Sequence, residues 1–256
     1  MKTMVIIQAR MGSSRLPGKM LMPLAGRPVI EWVFTRASAI QGIDQVVVAT
    51  TDSPQDEPLV AFCQQRKIPI YRGSENDVLD RYYQVARQLQ AGTIMRITGD
   101  CPLLDPHASG KVLAAFQQLP DCAYASNNTP ATYPDGLDTE VVSFSALEWM
   151  WKNAHERPYR EHVTYYIRSH LEKFRTTAVG HAPNLAQLRW TLDEMADYRM
   201  LALLVDELGR RKQFGYLDEI LAIVAAHPEW LEANRHIGRD EGLAKSLREN
   251  PLAAGE

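Results

Sequence analysis

A loop rich in positive charge follows the first apolar run of the chain. The run ends at Ala9, and residues 10–19 then hold three cations, two glycines and two serines. Backbone N–H groups and fixed positive charge between a strand and a helix are typical of a polyphosphate site. An ordinary turn with solvated basic side chains is the alternative, but the density of glycines and cations favours phosphate. The residues concerned are Arg10, Gly12, Ser13, Ser14, Arg15 and Lys19.

The spacing of this loop differs from that of two common phosphate-binding motifs. A P-loop has four residues between its glycines and a Ser or Thr after the lysine. Here five residues separate Gly12 from Gly18, and Met20 follows Lys19, so no hydroxyl stands at the magnesium-ligand position. The dinucleotide fingerprint Gly-x-Gly-x-x-Gly is also missing around Gly12. The loop therefore indicates a phosphate site of another kind.

Two carboxylates follow predicted strands later in the chain. Asp100 lies in the sequence Gly-Asp-Cys-Pro, and Asp193 follows the sequence Trp-Thr-Leu. Magnesium between phosphates usually takes one or two protein carboxylates and water. A turn cap for Asp100 and a helix N-cap for Asp193 are the alternatives, and both stay open. The sequence predicts a Mg²⁺ site formed by Asp100 and Asp193.

Apolar runs alternate with helical periods through the first half of the chain. This order predicts a three-layer α/β/α fold around a mostly parallel, Rossmann-like sheet. Strands are predicted at 4–9, 45–51, 68–72, 93–98 and 122–126, and helices at 28–39, 54–65, 78–89 and 106–119. Four of these strands end in polar or charged residues, including Asp52 after the second and Arg72 at the third. Because such ends meet at one edge of a parallel sheet, we expect a single polar cleft there.

The alternation loosens in the second half. Residues 127–138 form a long predicted loop with two prolines and a glycine next to carboxylates, and loops of this length are usually functional or disordered. Strands are predicted at 139–144, 174–179 and 187–192, and helices at 146–154, 161–170, 195–208 and 217–226. We expect a single domain over 1–256, with an insert at about 127–180 and a helical tail at about 213–256.

Composition excludes several classes of protein. The net charge of −3 over 256 residues argues against a nucleic-acid partner. Three cysteines without a Cys-x-x-Cys spacing argue against a disulfide framework and a zinc cluster. The sequence lacks an apolar run near the ~18 residues of a membrane span. The first residues lead directly into the first strand, so we expect no signal peptide, no membrane partner and a cytoplasmic location.

These motifs together resemble the cytidylyltransferases that activate acidic sugars, in particular the branch related to the spore-coat polysaccharide protein SpsF. The resemblance extends from residue 4 to about residue 197, and the tail after residue 228 is also similar. It implies a sheet of the nucleotide-diphospho-sugar transferase type, a loop that wraps the triphosphate of CTP, and transfer of CMP to an acidic sugar with release of pyrophosphate. It also implies a homodimer, with an insert that binds the acceptor or forms the oligomer.

The resemblance also implies a role for each candidate residue. Two alternatives stay open, namely plain helix capping by residues 74–77 and a purely structural role for His162. Catalytic cations are expected at Arg10, Arg15 and Lys19, with magnesium at Asp100 and Asp193. Nucleotide contacts are expected from Ala9, Gly12, Ser13, Ser14, Asp52, Arg72, Ser74 and Asp77. Acceptor contacts are expected from Tyr133, Asp135, Asp138, Arg160 and His162.

Two other functions compete with this one. Glycosyltransferases with a similar sheet commonly hold their metal with an Asp-x-Asp pair, and no two aspartates here are two apart. A non-catalytic nucleotide-binding module needs the basic loop but not two metal carboxylates. A metal requirement for turnover separates this module from the enzyme.

Overall fold

The computed structural model describes residues 2–252 of the chain. Its nine strands are β1 (Lys2–Gln8), β2 (Pro23–Leu24), β3 (Arg27–Pro28), β4 (Gln45–Thr51), β5 (Ile70–Gly73), β6 (Ala91–Thr98), β7 (Tyr124–Ser126), β8 (Glu140–Ser143) and β9 (Thr176–Ala178). Its ten α-helices are α1 (Val29–Ser38), α2 (Glu57–Gln65), α3 (Val78–Gln88), α4 (Pro106–Gln118), α5 (Phe144–Asn153), α6 (Arg157–Glu161), α7 (Tyr165–Ser169), α8 (Met195–Arg211), α9 (Leu217–Ala226) and α10 (Glu241–Glu249).

Seven of the strands form one central sheet in the order β5-β4-β1-β6-β8-β7-β9. The first four are mutually parallel, β8 is antiparallel to both β6 and β7, and β9 is parallel to β7. The predicted α/β fold with a mostly parallel sheet is therefore confirmed. Since β1, β4 and β6 are neighbours, the loops after their carboxyl ends meet at one edge, hereafter the carboxyl edge.

Both faces of the sheet are covered, which explains why its strands are apolar without interruption. Along β1, Val5 and Ile7 belong to the core shared with α1, α2 and α4. Met4 and Ile6 belong to the core on the opposite face, shared with α3 and α5. All four side chains are fully buried. A third core, around the buried Trp190, joins α8 and α9 to the β2–β3 hairpin.

Two predicted elements are wrong. Residues 187–192 form no strand, and their only ladder contact among residues 2–252 is an isolated bridge between Arg189 and Asp135. The predicted helix at 161–170 is instead divided into α6 and α7. The break lies at Val163, whose φ of 50° is left-handed and ends a right-handed helix.

The predicted insert and tail contain defined structure, although their boundaries remain predictions. Residues 127–180 include β8 and β9 of the central sheet and the helices α5, α6 and α7. The tail contains α9, a 3₁₀ turn at Pro228–Ala233 and α10, and its residues 253–256 lie outside the described part of the chain. Within residues 2–252 no helix has both the length and the apolar character to cross a membrane.

The loop at 127–139 is a long connection between two paired strands. Ser126 at the end of β7 is the register partner of Glu140 at the start of β8, so the loop leaves and returns at the carboxyl edge. It packs on the segment at 188–192, where the amide of Trp190 donates to the carbonyl of Asp135 over 2.6 Å. The contact is close at Gly136, which has a φ of 104°. A Cβ there would lie 2.6 Å from the carbonyl carbon of Trp190.

We expect Gly136→Ala to lower the free energy of unfolding by about 2–3 kcal/mol, because it adds a left-handed penalty to an overpacked contact. The matched control is Gly110→Ala in α4, where an added Cβ meets no atom within 4 Å. That variant should gain roughly 0.5–1 kcal/mol from the helix propensity of alanine. Urea unfolding curves measure both, and equal stability of the two variants would contradict this account.

Candidate active site

The ammonium group of Lys19 lies between the two predicted metal carboxylates. Its Nζ is 2.8 Å from Oδ2 of Asp100 and 2.9 Å from Oδ1 of Asp193. It also donates to the backbone carbonyl of Leu192 over 2.7 Å. Lys19 begins a 3₁₀ turn after the basic loop, Asp100 follows β6, and Asp193 precedes α8. The fold thus brings together three residues from three distant parts of the sequence.

Lys19 and Asp100 are both charged at neutral pH. Burial by itself lowers the pKa of Lys19, but Asp100 and Asp193 raise it above its ordinary value. Burial by itself raises the pKa of Asp100, but the Lys19 ammonium and the Thr98 hydroxyl hold it below its ordinary value. The stabilisation from Asp100 is therefore present above the ordinary carboxyl pKa and is lost as pH falls through the lowered pKa. The stabilisation from Lys19 is lost only as pH rises through its raised pKa.

A glycine before Asp100 permits the close approach of these segments. The amide of Gly99 donates to the carbonyl of Gln8 over 2.8 Å. A Cβ at this position would lie 2.9 Å from both the Cβ of Ala9 and the sulfur of Met20. The strand end that carries Asp100 can therefore rest directly on the start of the basic loop.

The two carboxylates fit a hard divalent cation. Their oxygens contact one ammonium group, so they are close enough to share one cation, and carboxylate oxygen is the ligand that magnesium prefers. Neither caps a helix: Glu194 is the N-cap of α8 and Asp105 is the N-cap of α4. Within residues 2–252 no group of three His, Cys, Asp or Glu side chains could hold a metal. The remaining ligands would therefore come from water and phosphate oxygens.

Arg189, which was not among the predicted site residues, contacts the carboxylate oxygen of Asp193 that Lys19 does not reach. Its Nη2 is 3.0 Å from Oδ2 of Asp193, and its Nε is 2.9 Å from Oδ1 of Asp197. Its Nη1 is 2.9 Å from Oδ2 of Asp135 in the 127–139 loop. Burial alone would raise the pKa of Asp197, but Arg189 and Asn234 hold it low. The four-residue spacing of 189, 193 and 197 could have indicated this cluster, but a strand prediction at 187–192 hides it.

The cations of the basic loop differ in their surroundings. Arg15 faces three carboxylates: Asp193 at 3.3 Å, Glu194 at 3.1 Å and Glu241 at 2.6 Å. Arg10 is exposed and has no hydrogen bond or ion pair to any residue of the described range. It is therefore free to contact a ligand at this edge.

The conformation of the basic loop depends on its own turns and on one buried carboxylate. Ser13 accepts a hydrogen bond from the amide of Leu16 over 3.3 Å. Gly12 is close to Gln55, whose side-chain oxygen would lie 3.2 Å from an added Cβ, and Ser14 is exposed. Asp56, also missed from the sequence, accepts from the amide of Met11 over 2.6 Å.

Arg81 on α3 is a further residue that the sequence did not indicate. It is 1% exposed, and its Nε and Nη1 have no hydrogen-bond partner among the described residues. Burial lowers its pKa, and Arg10 is among the charges that act on it. A buried guanidinium with free donors can bind an acceptor group of a ligand. An arginine within a helical period gives no such signal in sequence.

The predicted base-side residues are engaged in local contacts. Arg72 pairs with Glu57 at 2.6 Å and donates to the carbonyl of Asp52 over 3.2 Å, so it braces the loop after β4. Asp77 accepts from the amide of Asp80 at the start of α3, which confirms the capping alternative for this residue. The hydroxyl of Ser74 accepts from the amide of Asp77 over 3.1 Å. Their contacts to a nucleotide base remain predictions.

Two residues that were predicted to contact different substrates form an ion pair with each other. Asp77, predicted for the nucleotide, lies 2.5 Å from Nη2 of Arg160, predicted for the acceptor. His162 follows in the break between α6 and α7, where its Nε2 is buried and unpartnered among the described residues. Burial lowers the pKa of His162, so the imidazole is neutral at pH 7.

The 127–139 loop carries two adjacent carboxylates with separate arginine partners. Arg189 holds Asp135, and Arg239 from the tail pairs with Asp138. Burial and the neighbouring Asp138 raise the pKa of Asp135 to about 7. The ring of Tyr133 is buried in the third core, while its carbonyl accepts from Arg239 over 3.1 Å.

We expect Lys19→Met to lower the free energy of unfolding by about 2–3 kcal/mol at pH 7. Breaking a fully buried pair costs about 3–5 kcal/mol, and these carboxylates are 23% and 24% exposed. The loss should shrink in acid as the carboxylates protonate. Lys111→Met, on the exposed surface of α4, is the control in urea unfolding. Equal stability of the two variants at pH 7 would show that the Lys19 ion pairs are not stabilising.

The sequence matches the cytidylyltransferase family over residues 4–224. It is 35% identical over 233 residues to the spore coat polysaccharide biosynthesis protein SpsF of Bacillus subtilis, covering 88% of this chain and 94% of that protein. It is 33% identical over 206 residues to 3-deoxy-manno-octulosonate cytidylyltransferase of Escherichia coli, covering 73% of this chain and 82% of that protein.

A solved structure gives the same result. A cytidylyltransferase from Leptospira borgpetersenii superposes with a TM-score of 0.85 at 27% identity, covering 90% of this chain and 97% of that one. The fold, the cluster of Lys19, Asp100 and Asp193, and the family match over residues 4–224 thus agree with the resemblance that the sequence indicated. The chain belongs to the cytidylyltransferase family, whose members are nucleotidyltransferases that use CTP.

Proposed function

We propose that this chain transfers CMP from CTP to a hydroxyl group of a small acidic sugar. The observation that carries the proposal is the meeting of Lys19, Asp100 and Asp193 beside the basic loop. The B. subtilis relative is named for polysaccharide biosynthesis and the E. coli relative for a sugar acid, which supports an acceptor of this class.

The reaction needs positioning and charge neutralisation more than covalent help from the protein. The acceptor oxygen attacks the α-phosphorus of CTP in line, while the bond to the bridging oxygen breaks and pyrophosphate leaves. Arg10 and Arg15 would hold the β- and γ-phosphates and neutralise the charge that builds on pyrophosphate. Lys19, whose three N–H donors reach Asp100, Asp193 and the carbonyl of Leu192, would act on the phosphates through its charge alone. The proton of the acceptor hydroxyl passes to solvent or to a nearby carboxylate.

Asp100 and Asp193 would hold Mg²⁺ in this site. When bound, the ion supplies Lewis-acid neutralisation at the α-phosphate and lowers the pKa of the acceptor hydroxyl. Arg189 orients Asp193 through its 3.0 Å contact. Lys19 balances the charge of both carboxylates, so that two partly buried anions can lie side by side.

The nucleotide and the acceptor would take opposite sides of the cleft. Backbone groups at Ala9 and Gly12, with Ser13 and Ser14, would line the phosphates. The loops that carry Asp52, Arg72, Ser74 and Asp77 would close over the base, and the free donors of Arg81 would reach the nucleotide. Residues 127–180 would bind the acceptor through Asp135, Asp138, Arg160, His162 and the loop segment at Tyr133.

The setting of the enzyme follows from the same reasoning. A homodimer in the cytoplasm, without a nucleic-acid or membrane partner, fits a chain with a net charge of −3 and small-molecule substrates. The insert at about 127–180 would provide the contacts of that dimer.

Pyrophosphate release tests this function directly. Purified protein is incubated with each of the four ribonucleoside triphosphates and a set of sugar acids that includes 3-deoxy-manno-octulosonate. We expect release with CTP and at least one sugar acid, with a CMP conjugate as the second product. Sugar transfer from a nucleotide-sugar donor, with release of the nucleotide and without pyrophosphate, would instead favour a glycosyltransferase, and binding of CTP without turnover would favour a non-catalytic module.

We expect Asp100→Asn and Asp193→Asn each to lower kcat/KM by roughly 10²–10³, the usual scale for loss of one preorganised electrostatic group. Both should also require more magnesium for half-maximal rate. Asp206→Asn, on the exposed face of α8, is the matched control. Wild-type activity of either site variant at limiting magnesium would remove that residue from the metal site.

We expect Asp138→Ala to raise the KM for the acceptor, or to lower kcat, with the affinity for CTP nearly unchanged. Asn128→Ala in the same loop is the control, since its side chain bonds to the neighbouring Thr129. Steady-state kinetics with the active sugar acid and calorimetry with CTP separate the two sides. A large loss of CTP affinity with an intact acceptor KM would place this loop on the nucleotide side.

A further inference from the structure

Three consecutive tail residues contact three different parts of the site. Glu241 at the start of α10 pairs with Arg15 of the basic loop at 2.6 Å. Arg239 pairs with Asp138 of the 127–139 loop. Asp240 lies 3.7 Å from Arg168 of α7. The segment at 238–241 therefore lies across the candidate cleft, with its charges opposite in sign to those it meets.

We propose that the Glu241 carboxylate is an internal competitor of the triphosphate for Arg15, so that CTP must displace the tail to bind. The inference rests on the proposed function, in which Arg15 holds a phosphate. A carboxylate and a phosphate oxygen make the same charge-assisted hydrogen bonds to a guanidinium. Because Glu241 occupies Arg15 at 2.6 Å, the two anions use the same donor.

Of the three carboxylates on Arg15, Glu241 is held least firmly. Asp193 also contacts Lys19 and Arg189, and Glu194 is the N-cap of α8. The other bond of Glu241 is to the amide of Gly238, within its own segment, over 3.2 Å. Its side chain is 44% exposed, the largest fraction of the three. Displacement of Glu241 therefore breaks the fewest contacts.

The rest of the tail is held by two hydrogen bonds of buried residues, neither of which involves Arg15, and we call these two contacts its anchors. Ser246, which is 4% exposed, donates to Glu161 at the end of α6 over 3.0 Å. Asn234, which is 2% exposed, donates to Asp197 over 2.9 Å. Between these two anchors the segment is also held by Arg189, which donates to the carbonyl of Gly238 over 3.2 Å, and by Arg239. Movement away from Arg15 breaks those contacts while both ends of the segment stay in place.

The displacement would also act on the acceptor side of the cleft. Arg239 is two residues from Glu241 and holds Asp138, so movement of Glu241 changes the position of the cation that faces this carboxylate.

Calorimetry with CTP and no acceptor tests the competition. We expect Glu241→Gln to tighten CTP binding about two- to fivefold, the range that loss of one exposed ion pair allows. The control is Glu249→Gln on the same helix, whose partner is Lys245, and it should leave the Kd unchanged. The gain should disappear in an Arg15→Ala background, since the two residues then no longer interact. A purely structural role for Glu241 predicts weaker binding instead.

Hydrogen exchange of residues 238–249 gives a second readout, and inorganic tripolyphosphate is a second probe. Exchange should rise when CTP or tripolyphosphate is added. An unchanged Kd in Glu241→Gln, or unchanged exchange at saturating CTP, would overturn the competition while the CTP function stands. Failure of the wild type to bind CTP would overturn the proposed function, and the effect of Glu241→Gln on tripolyphosphate binding would then decide the competition alone.

Discussion

The ion pairs of Lys19 with Asp100 and Asp193 are the interaction on which the rest of the site depends. Two ionised carboxylates in a partly buried space repel each other, and a cation between them offsets both that repulsion and the cost of removing the charges from water. The ammonium therefore fixes the end of β6, the start of α8 and the end of the basic loop relative to one another. The helices and strands form the scaffold, and this one cation fixes the distances between the three segments of the site.

The same pairing of carboxylates with cations continues from Lys19 into the surrounding residues. Charges of alternating sign run from Arg15 to Asp193, to Arg189, to Asp135, and then from Asp138 to Arg239. Each carboxylate has an arginine or lysine on at least one side, which lets this many acids lie together at neutral pH. The exception is the direct neighbour relation of Asp135 and Asp138, and there the pKa of Asp135 rises to about 7.

Local patterns predicted most of the fold and the centre of the site. Continuous apolar strands and helical periods predicted the sheet because burial on both faces leaves a clear mark in the sequence. Asp100, Asp193 and Lys19 were found because strand ends converge. Glu241 was not, because its partner Arg15 lies far along the chain. Arg189 was not, because the predicted strand at 187–192 hid its four-residue spacing to Asp193. The segment at 187–192 resembles a strand because Leu188, Trp190 and Leu192 alternate with polar residues, yet it packs against a loop instead of a sheet.

The antiparallel strand β8 has a consequence for how this enzyme can change. Because Ser126 and Glu140 pair across the base of the 127–139 loop, the loop is a closed excursion from two fixed points of the sheet. Changes in it need not shift a strand, provided that Asp135 and Gly136 keep their contacts with the segment at 188–192. In the proposed function this loop faces the acceptor, so exchange of one connection between two paired strands would change the sugar while the nucleotide side of the site is inherited unchanged.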